Sequence, residues 1–277
     1  ICEGLVGSEM CIRDRMYNGT ISNNGMQTFF VKEDGSLWGM GENVDGALGT
    51  GKFGVTSDFI PNKGGSLYDS NVDHATPVQI ERSGVKSVVA APYHTLFVKK
   101  DGSLWGMGYN GNGALGNGKF DENYRDIDYD GLRESIEPTP IRIASAEVVN
   151  VAGARFATLF VKEDGSLWIT GDTLSSSTPF SLVPKMILES GVVQVEVVQD
   201  DYSGHDEIFV LDNDGAVKRL NLDYEEEEEH DDDHEEEDHD EEHAIYLIDQ
   251  VAVKDGVKAI SGGDRHLLMI MWDGSVW

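Results

Sequence analysis

The hydrophobic positions along this chain fall in short runs rather than at helical spacing. Val85-Lys-Ser-Val-Val-Ala-Ala91 and Val148-Val-Asn-Val-Ala152 have strand length and β-branched content, and no segment sustains a period near 3.6. Thr76-Pro-Val-Gln-Ile80 and Thr139-Pro-Ile-Arg-Ile143 are Pro-led runs of the same length. A third kind of run ends in Asp-Gly: Thr28-Phe-Phe-Val-Lys-Glu-Asp-Gly-Ser-Leu-Trp38, with near copies at Thr95–Trp105 and Thr158–Trp168. Glycine accepts the positive φ of a tight turn, so a strand, Asp-Gly and a returning Leu-Trp strand predict a β-hairpin. Looser copies are Ile208-Phe-Val-Leu-Asp-Asn-Asp-Gly215-Ala-Val and Leu268-Met-Ile-Met-Trp-Asp-Gly274-Ser-Val-Trp277. The turn aspartates Asp34, Asp101, Asp164, Asp214 and Asp273 lie 67, 63, 50 and 59 residues apart. Three or four strands per such interval are the content of one propeller blade, so the pattern predicts an all-β repeat protein.

The repeat unit resembles the regulator of chromosome condensation (RCC1-like) family. The matching residues are His94-Thr95, Asp101-Gly102, Trp105-Gly106, Asn110 and Gly113-Ala-Leu-Gly116, the last recurring as Gly46-Ala-Leu-Gly49. Copy three lacks that segment after Gly171, and copy four carries Lys218 in place of Trp. The resemblance covers about residues 25–277. It implies a seven-bladed β-propeller, with blades offset from the repeats, of which about five repeats are present: a truncated fragment. The expected division is a non-native leader, 1–15, followed by propeller repeats over 16–277. The leader, with Cys2 and Cys11, resembles a translated sequencing-adapter read-through and has no secretory-signal pattern. The remainder has no cysteine, hence neither disulfides nor thiolate metal sites.

Composition narrows the function. With 277 residues and 39% hydrophobics a core is affordable, and the 32 glycines fit a turn-rich fold. The net charge of −30 argues against nucleic acid or an anionic membrane as partner, and no apolar run is long enough to span a bilayer. Residues 223–242 hold 16 carboxylates and no Lys or Arg, too dense a like charge to bury, so the tract reads as a disordered or ion-bound loop.

Three motifs bear on chemistry. Asp126-Ile-Asp128-Tyr-Asp130-Gly131-Leu132-Arg-Glu134-Ser-Ile-Glu137 fits a twelve-residue calcium loop. Asp126, Asp128, Asp130, the Leu132 carbonyl, Glu134 and a bidentate Glu137 would supply the oxygens. Gly118, Pro138 and Pro140 leave no room for the flanking helices of an EF-hand, and a solvated acidic loop is the alternative. His230, His234, His239 and His243 lie among carboxylates, which suits zinc or nickel but fixes no geometry. Gly106-Met-Gly108-Tyr-Asn-Gly111 matches a dinucleotide string without the helix that string requires, so these read as turn glycines. His94 and His266 share one repeat position, assigned in the other copies to Gln27, Ala157 and Asp206, and a position that accepts Ala reads as structural. Trp38, Trp105 and Trp168 read as blade-packing aromatics.

No nucleophile elbow, zinc-protease helix or P-loop is present, so the expectation is a non-enzyme: a monomeric binding propeller. The long excursions Gly51–Ala75, Gly118–Pro138 and Asp223–His243 hold equivalent places in their repeats and predict one loop-rich face for a basic or cation-bridged protein or cell-surface ligand. The repeat wording resembles bacterial members, many of them secreted or surface-bound, which implies an extracellular address, with the cytoplasm as the alternative. Competing readings are metal buffering by the His-acid tract, nucleotide exchange on a small GTPase as in the eukaryotic namesake, and inhibition of a secreted enzyme, as for a bacterial β-lactamase inhibitor that looks like this propeller.

Overall fold

A computed structural model of the chain describes residues 20–54, 72–119, 136–172, 181–199, 206–221, 246–253, 255–263 and 265–277. Every helix-or-strand element of regular length in these residues is a strand. No helix among them is long and apolar enough to cross a membrane. Blade 1 is the antiparallel sheet β1 (Ile21–Asn23), β2 (Gln27–Val31), β3 (Leu37–Gly41) and β4 (His74–Glu81). Blade 2 is β5 (Val85–Ala90), β6 (His94–Lys99), β7 (Leu104–Tyr109) and β8 (Ile136–Ala144). Blade 3 is β9 (Val148–Gly153), β10 (Ala157–Lys162), β11 (Leu167–Gly171) and β12 (Ser181–Leu188). Blade 4 is β13 (Val192–Gln199), β14 (Asp206–Asp212), β15 (Val217–Asn221) and β16 (Tyr246–Val253). A fifth sheet pairs β17 (Val257–Gly262) with β18 (Leu267–Met271).

Each Asp-Gly hairpin is therefore the middle of a blade, and each Pro-led strand is the outer strand of the blade before its own repeat. Proline suits that edge because one side of the strand has no ladder to serve. The outer strands begin slightly earlier than the sequence suggests, at His74 and Ile136, so Pro138 belongs to β8 and not to the excursion before it. The first strand of each blade stands beside the first strand of the next. Their facing edges would expose unpaired N–H groups, and side chains from the preceding blade satisfy several of them. Thr20 Oγ1 accepts from Val88 N–H (3.2 Å), Ser22 Oγ from Ala90 N–H (2.8 Å) and Asn150 Oδ1 from Val195 N–H (2.8 Å). Gln194 serves both backbone groups of one residue, accepting from Ile260 N–H (3.1 Å) and donating to the Ile260 carbonyl (2.7 Å).

The hairpin turns make a second line of stitching. The carbonyls of Gly35, Gly102, Gly165 and Gly215 accept from Val85, Val148, Val192 and Val257 N–H at 2.9–3.0 Å, each across a blade junction. A Cβ on Gly35, Gly102 or Gly165 would stand only 2.7–2.9 Å from backbone nitrogen of the next blade, so glycine is needed there for proximity as well as for its φ of +79°. Between the sheets lies the core. Phe29, Val31 and Leu37 of blade 1 meet Val85, Val88, Phe97 and Met107 of blade 2, and Leu96, Val98 and Leu104 meet Val148, Val151 and Phe160 in the next junction.

Inside each hairpin of copies one to three, the aspartate accepts from the Ser backbone N–H, and the Ser hydroxyl accepts from the Trp indole at 2.8–2.9 Å. A lysine ammonium sits 3.9–4.4 Å from each Trp ring centre. Copy four rebuilds the turn from other residues. Asp212 accepts from Asp214 and Ala216 N–H and pairs with Lys218 at 2.9 Å. Lys218 faces Val210 as Trp105 faces Phe97. That register places Glu207, not Asp206, at the position of Gln27, His94 and Ala157, correcting the alignment read from sequence.

Candidate binding face

The turns between the first and second strands and the connections between the third and fourth strands emerge at the same end of every blade, opposite the Asp-Gly hairpins. Met26, Tyr93, Phe156, Asp206 and Arg265 stand at the start of the second strand in successive blades or within two residues before it. Tyr93 and Phe156 stack across the junction of blades 2 and 3, with ring centroids 5.5 Å apart and planes at 21°. Tyr109, at the end of β7, sets its ring steeply to both, at 6.2 and 6.3 Å. Gly111 makes room for the Tyr109 ring, which any side chain there would strike. All three rings are only partly buried, and Met26 is exposed. The result is a half-exposed aromatic cluster on a rigid junction, the kind of surface that anchors a partner.

Below it the chain is closed. His94 is fully buried, with Nε2 3.2 Å from Thr158 Oγ1 in the next blade. Burial pushes its pKa down to about 4, so the ring is neutral at physiological pH. It ties two blades together and reaches no solvent. Gln27 at the equivalent position donates to the Glu42 carbonyl (3.0 Å). The Asn and Gly-Ala-Leu-Gly segments shape the rim. Asn43 Oδ1 accepts from Leu48 N–H (2.9 Å) and Asn110 Oδ1 from Leu115 N–H (2.7 Å), closing each segment on itself. Gly51 and Gly118 N–H then donate to Pro138 and Leu182 carbonyls, clamping each segment to the outer strand of the following blade.

The rim is acidic. Burial, and secondarily the neighbouring Glu42, pushes the Asp45 carboxyl up to about 6. Asp73 accepts from Asn43 N–H (2.9 Å), and Asp206 from Arg155 N–H. The connections 55–71, 120–135, 200–205 and 222–245 lie outside the described residues, but the strands that flank them leave and return at this end. By sequence they carry 23 of the chain's 30 net negative charges.

Of the metal candidates, Asp126, Asp128, Asp130, Leu132 and Glu134 lie outside the described residues, as do His230, His234, His239 and His243. Glu137 is described: it sits in β8 opposite Gly108, and its Oε1 accepts from Asn117 Nδ2 (2.7 Å) and Lys119 Nζ (3.4 Å). Among the described residues no three His, Cys, Asp or Glu side chains gather as a metal site would require. Gly106 and Gly108 lie within β7, and no helix follows Gly111 among the described residues. Gly106 is packed under Leu115 and Ile143, so the string serves blade packing. The ring cluster itself escaped the sequence reading. Its signal was the aromatic residue just before His94 and just before Ala157, the same offset in two copies.

Comparison with known proteins agrees with this architecture. Residues 85–114 match the regulator of chromosome condensation (RCC1) repeat. The RCC1 domain-containing protein RUG3, mitochondrial, of Arabidopsis thaliana is 24% identical over 155 residues, which are 55% of this chain and 28% of that protein. Human WBSCR16 superimposes with a TM-score of 0.61 at 16% identity, covering 93% of this chain and 61% of that one. Prp20p of Saccharomyces cerevisiae gives 0.58 at 19%, covering 93% and 56%. The same yeast RCC1 bound to Kap60 gives 0.58 at 18%, covering 93% and 54%. The chain thus spans little more than half of the solved structures it matches. Its repeats are RCC1-like, and its blades are those of an RCC1-like propeller.

Proposed function

We propose that this chain is a non-catalytic binding module whose loop-bearing face takes a basic segment of a partner protein. The observation that carries the reading is the coincidence, at one end of the blades, of the Tyr93–Tyr109–Phe156 cluster with the connections that hold most of the negative charge. Acidic surroundings speed the approach of a basic chain, and aromatic faces favour a guanidinium or ammonium group once water is displaced. An extracellular or cell-surface address belongs to the same reading, as does a calcium loop at 126–137, and both rest on sequence alone. A lysine- and arginine-rich peptide, with its glutamine counterpart as control, is the probe. Binding to the basic peptide that weakens with salt, and weakens about tenfold or more in a Tyr93→Ala/Phe156→Ala double variant, supports the proposal. Equal affinity for both peptides refutes it.

A second reading, regulation of a small GTPase, is favoured by one observation: Prp20p, whose fold this chain shares, is described by its binding to Gsp1p and histones. Acceleration of nucleotide release from a small GTPase by the intact chain supports that reading. Peptide binding without any effect on release favours the first.

A further inference from the structure

The rim segments that follow β3 and β7 read Asn43-Val-Asp45-Gly46-Ala-Leu-Gly49 and Asn110-Gly-Asn112-Gly113-Ala-Leu-Gly116. The polar side chains around them are mostly engaged. Asn43 and Asn110 accept from Leu48 and Leu115 N–H, Asp73 from Asn43 N–H, and Asn117 from Asn110 Nδ2 and Lys119 N–H. One motif position, two residues after the first Asn, departs from this. Asn112 there is 2% exposed, and its Oδ1 has no hydrogen-bond partner. Asp45 holds the same position in blade 1. Burial and the Glu42 carboxylate act on its half-buried carboxyl, and no hydrogen bond or cation among the described residues offsets them. An acceptor withdrawn from water without a donor is destabilising, so both oxygens favour a ligand that brings N–H groups.

Both positions border the ring cluster. Gly46 and Ala47, which follow Asp45, pack against Ile136 and Gly108, the ladder partner of Tyr109 and its chain neighbour. Asn112 follows Gly111, over which the phenol end of Tyr109 lies. We infer that this corner, Tyr93, Tyr109 and Phe156 with Asp45 and Asn112 beside them, takes an arginine side chain in preference to a lysine. The inference rests on the proposed role of this face in binding a basic segment, and it names the residue that segment must bring. A guanidinium is planar, weakly hydrated and carries five N–H donors in a fixed fork. One such group can stack on a ring, pair with the Asp45 carboxylate and serve a further acceptor. An ammonium can pair with Asp45, but it has no plane to stack and gives up more water at a half-buried site. The long-range attraction of the acidic connections is the same for both, so a difference between them arises at short range.

The test is isothermal titration calorimetry of the 277-residue chain at pH 8, where the Asp45 carboxyl, with a pKa of about 6, is ionised. Three peptides of one length carry arginine, lysine or glutamine at the same positions. The arginine peptide binds about tenfold more tightly than the lysine peptide, and both bind more tightly than the glutamine control. Asp45→Asn, close to isosteric, cuts the arginine-to-lysine ratio to about threefold or less. Tyr109→Leu, which removes a stacking plane, lowers it by an independent route and stands in for Asp45→Asn if circular dichroism shows that variant unfolded. Glu33→Gln, which removes an equal charge from the exposed Asp-Gly end, leaves the ratio as it was. Equal affinity for the arginine and lysine peptides, both above glutamine, overturns the arginine preference and leaves the basic-segment reading standing. An undiminished ratio in both Asp45→Asn and Tyr109→Leu overturns the assignment to this corner. Failure of both cationic peptides to bind overturns the basic-segment reading and the inference with it.

Discussion

Replacing Gly102 with alanine isolates what a blade junction is worth. Gly102 has φ +79°, and a Cβ built on it stands 2.7 Å from Glu147 N and 3.4 Å from Glu147 Cα. The left-handed backbone alone costs an alanine about 1–2 kcal/mol. The contact with Glu147 is with backbone, so it cannot be relieved by turning a side chain, and the two blades must part locally. Two hydrogen bonds then suffer: Val148 N–H to the Gly102 carbonyl (3.0 Å) and Glu163 N–H to the Glu147 carbonyl (2.8 Å). Each contributes about 1 kcal/mol, so the whole change costs about 3–4 kcal/mol. The control is in the same molecule. Gly274 occupies the same motif position at φ +86° with no atom within 4 Å, so Gly274→Ala carries the backbone cost alone. The variants should differ by about 2 kcal/mol, or about 4–8 °C in Tm, because adjacent repeats are coupled mainly through their shared interface. Scanning calorimetry at neutral pH measures both. Equal losses for the two variants would show that the turn glycine serves conformation only and that the stitching contributes little.

One buried and one half-buried group give the acid limb opposite slopes. His94 titrates at about 4 when folded against 6.5 when unfolded, so the unfolded chain binds the extra proton. Its neutral form stabilises fully above 6.5, and the benefit is lost as pH falls toward 4; it amounts to about 3 kcal/mol. His94→Gln should flatten that limb in urea unfolding followed from pH 7 to 4. Asp45 works the other way. Its folded value of about 6 exceeds its ordinary 3.8, so its protonated form favours the fold, and that contribution fades as pH rises through 6. Asp45→Asn should therefore steepen the loss of stability on acidification, and an unchanged slope in either variant would contradict its assignment. Ser103→Ala deprives the Trp105 indole of its acceptor (2.9 Å) in a buried position and should cost about 1–2 kcal/mol. Ser275→Ala, which breaks the same bond to the exposed Trp277 (3.0 Å), should cost less than about 0.5 kcal/mol by the same assay.

The hairpins were legible because their cause is local. Asp-Gly needs no distant partner to form a turn, and a strand on either side of it has a period that shows in a few residues. The offset of blades from repeats was implied by resemblance alone, since the Pro-led strand finds β3 or β7 by a return path of dozens of residues. In copy four the counterpart of His94 was in fact countable from the turn: Gln27, His94 and Ala157 each stand seven residues before the turn aspartate, and seven before Asp214 is Glu207, the position that the pairing of Val210 with Lys218 also assigns. The ring cluster depends on three residues from two blades, and the stitching carbonyls belong to glycines whose side chains carry no signal at all. Both arise from proximity between repeats, which a residue pattern inside one repeat does not encode.

The two ends of the blades divide the work. At the Asp-Gly end, φ, carbonyl direction and backbone spacing are fixed together by contacts with the following blade, and each internal junction repeats them. At the other end, the strands need only be joined, and lengthening a connection adds closure entropy that grows with the logarithm of its length. Charge can therefore accumulate there without entering any junction. By sequence, 222–245 holds a dense run of like charge, and repulsion among such carboxylates is relieved by counterions or by a basic chain. It follows that a bound cationic segment should stabilise the fold in proportion to the charge it neutralises, even where it touches no described residue. On the proposed binding role, the aromatic cluster would decide which cationic segment stays, because a short-range contact with its rings is screened by salt less than the long-range attraction is.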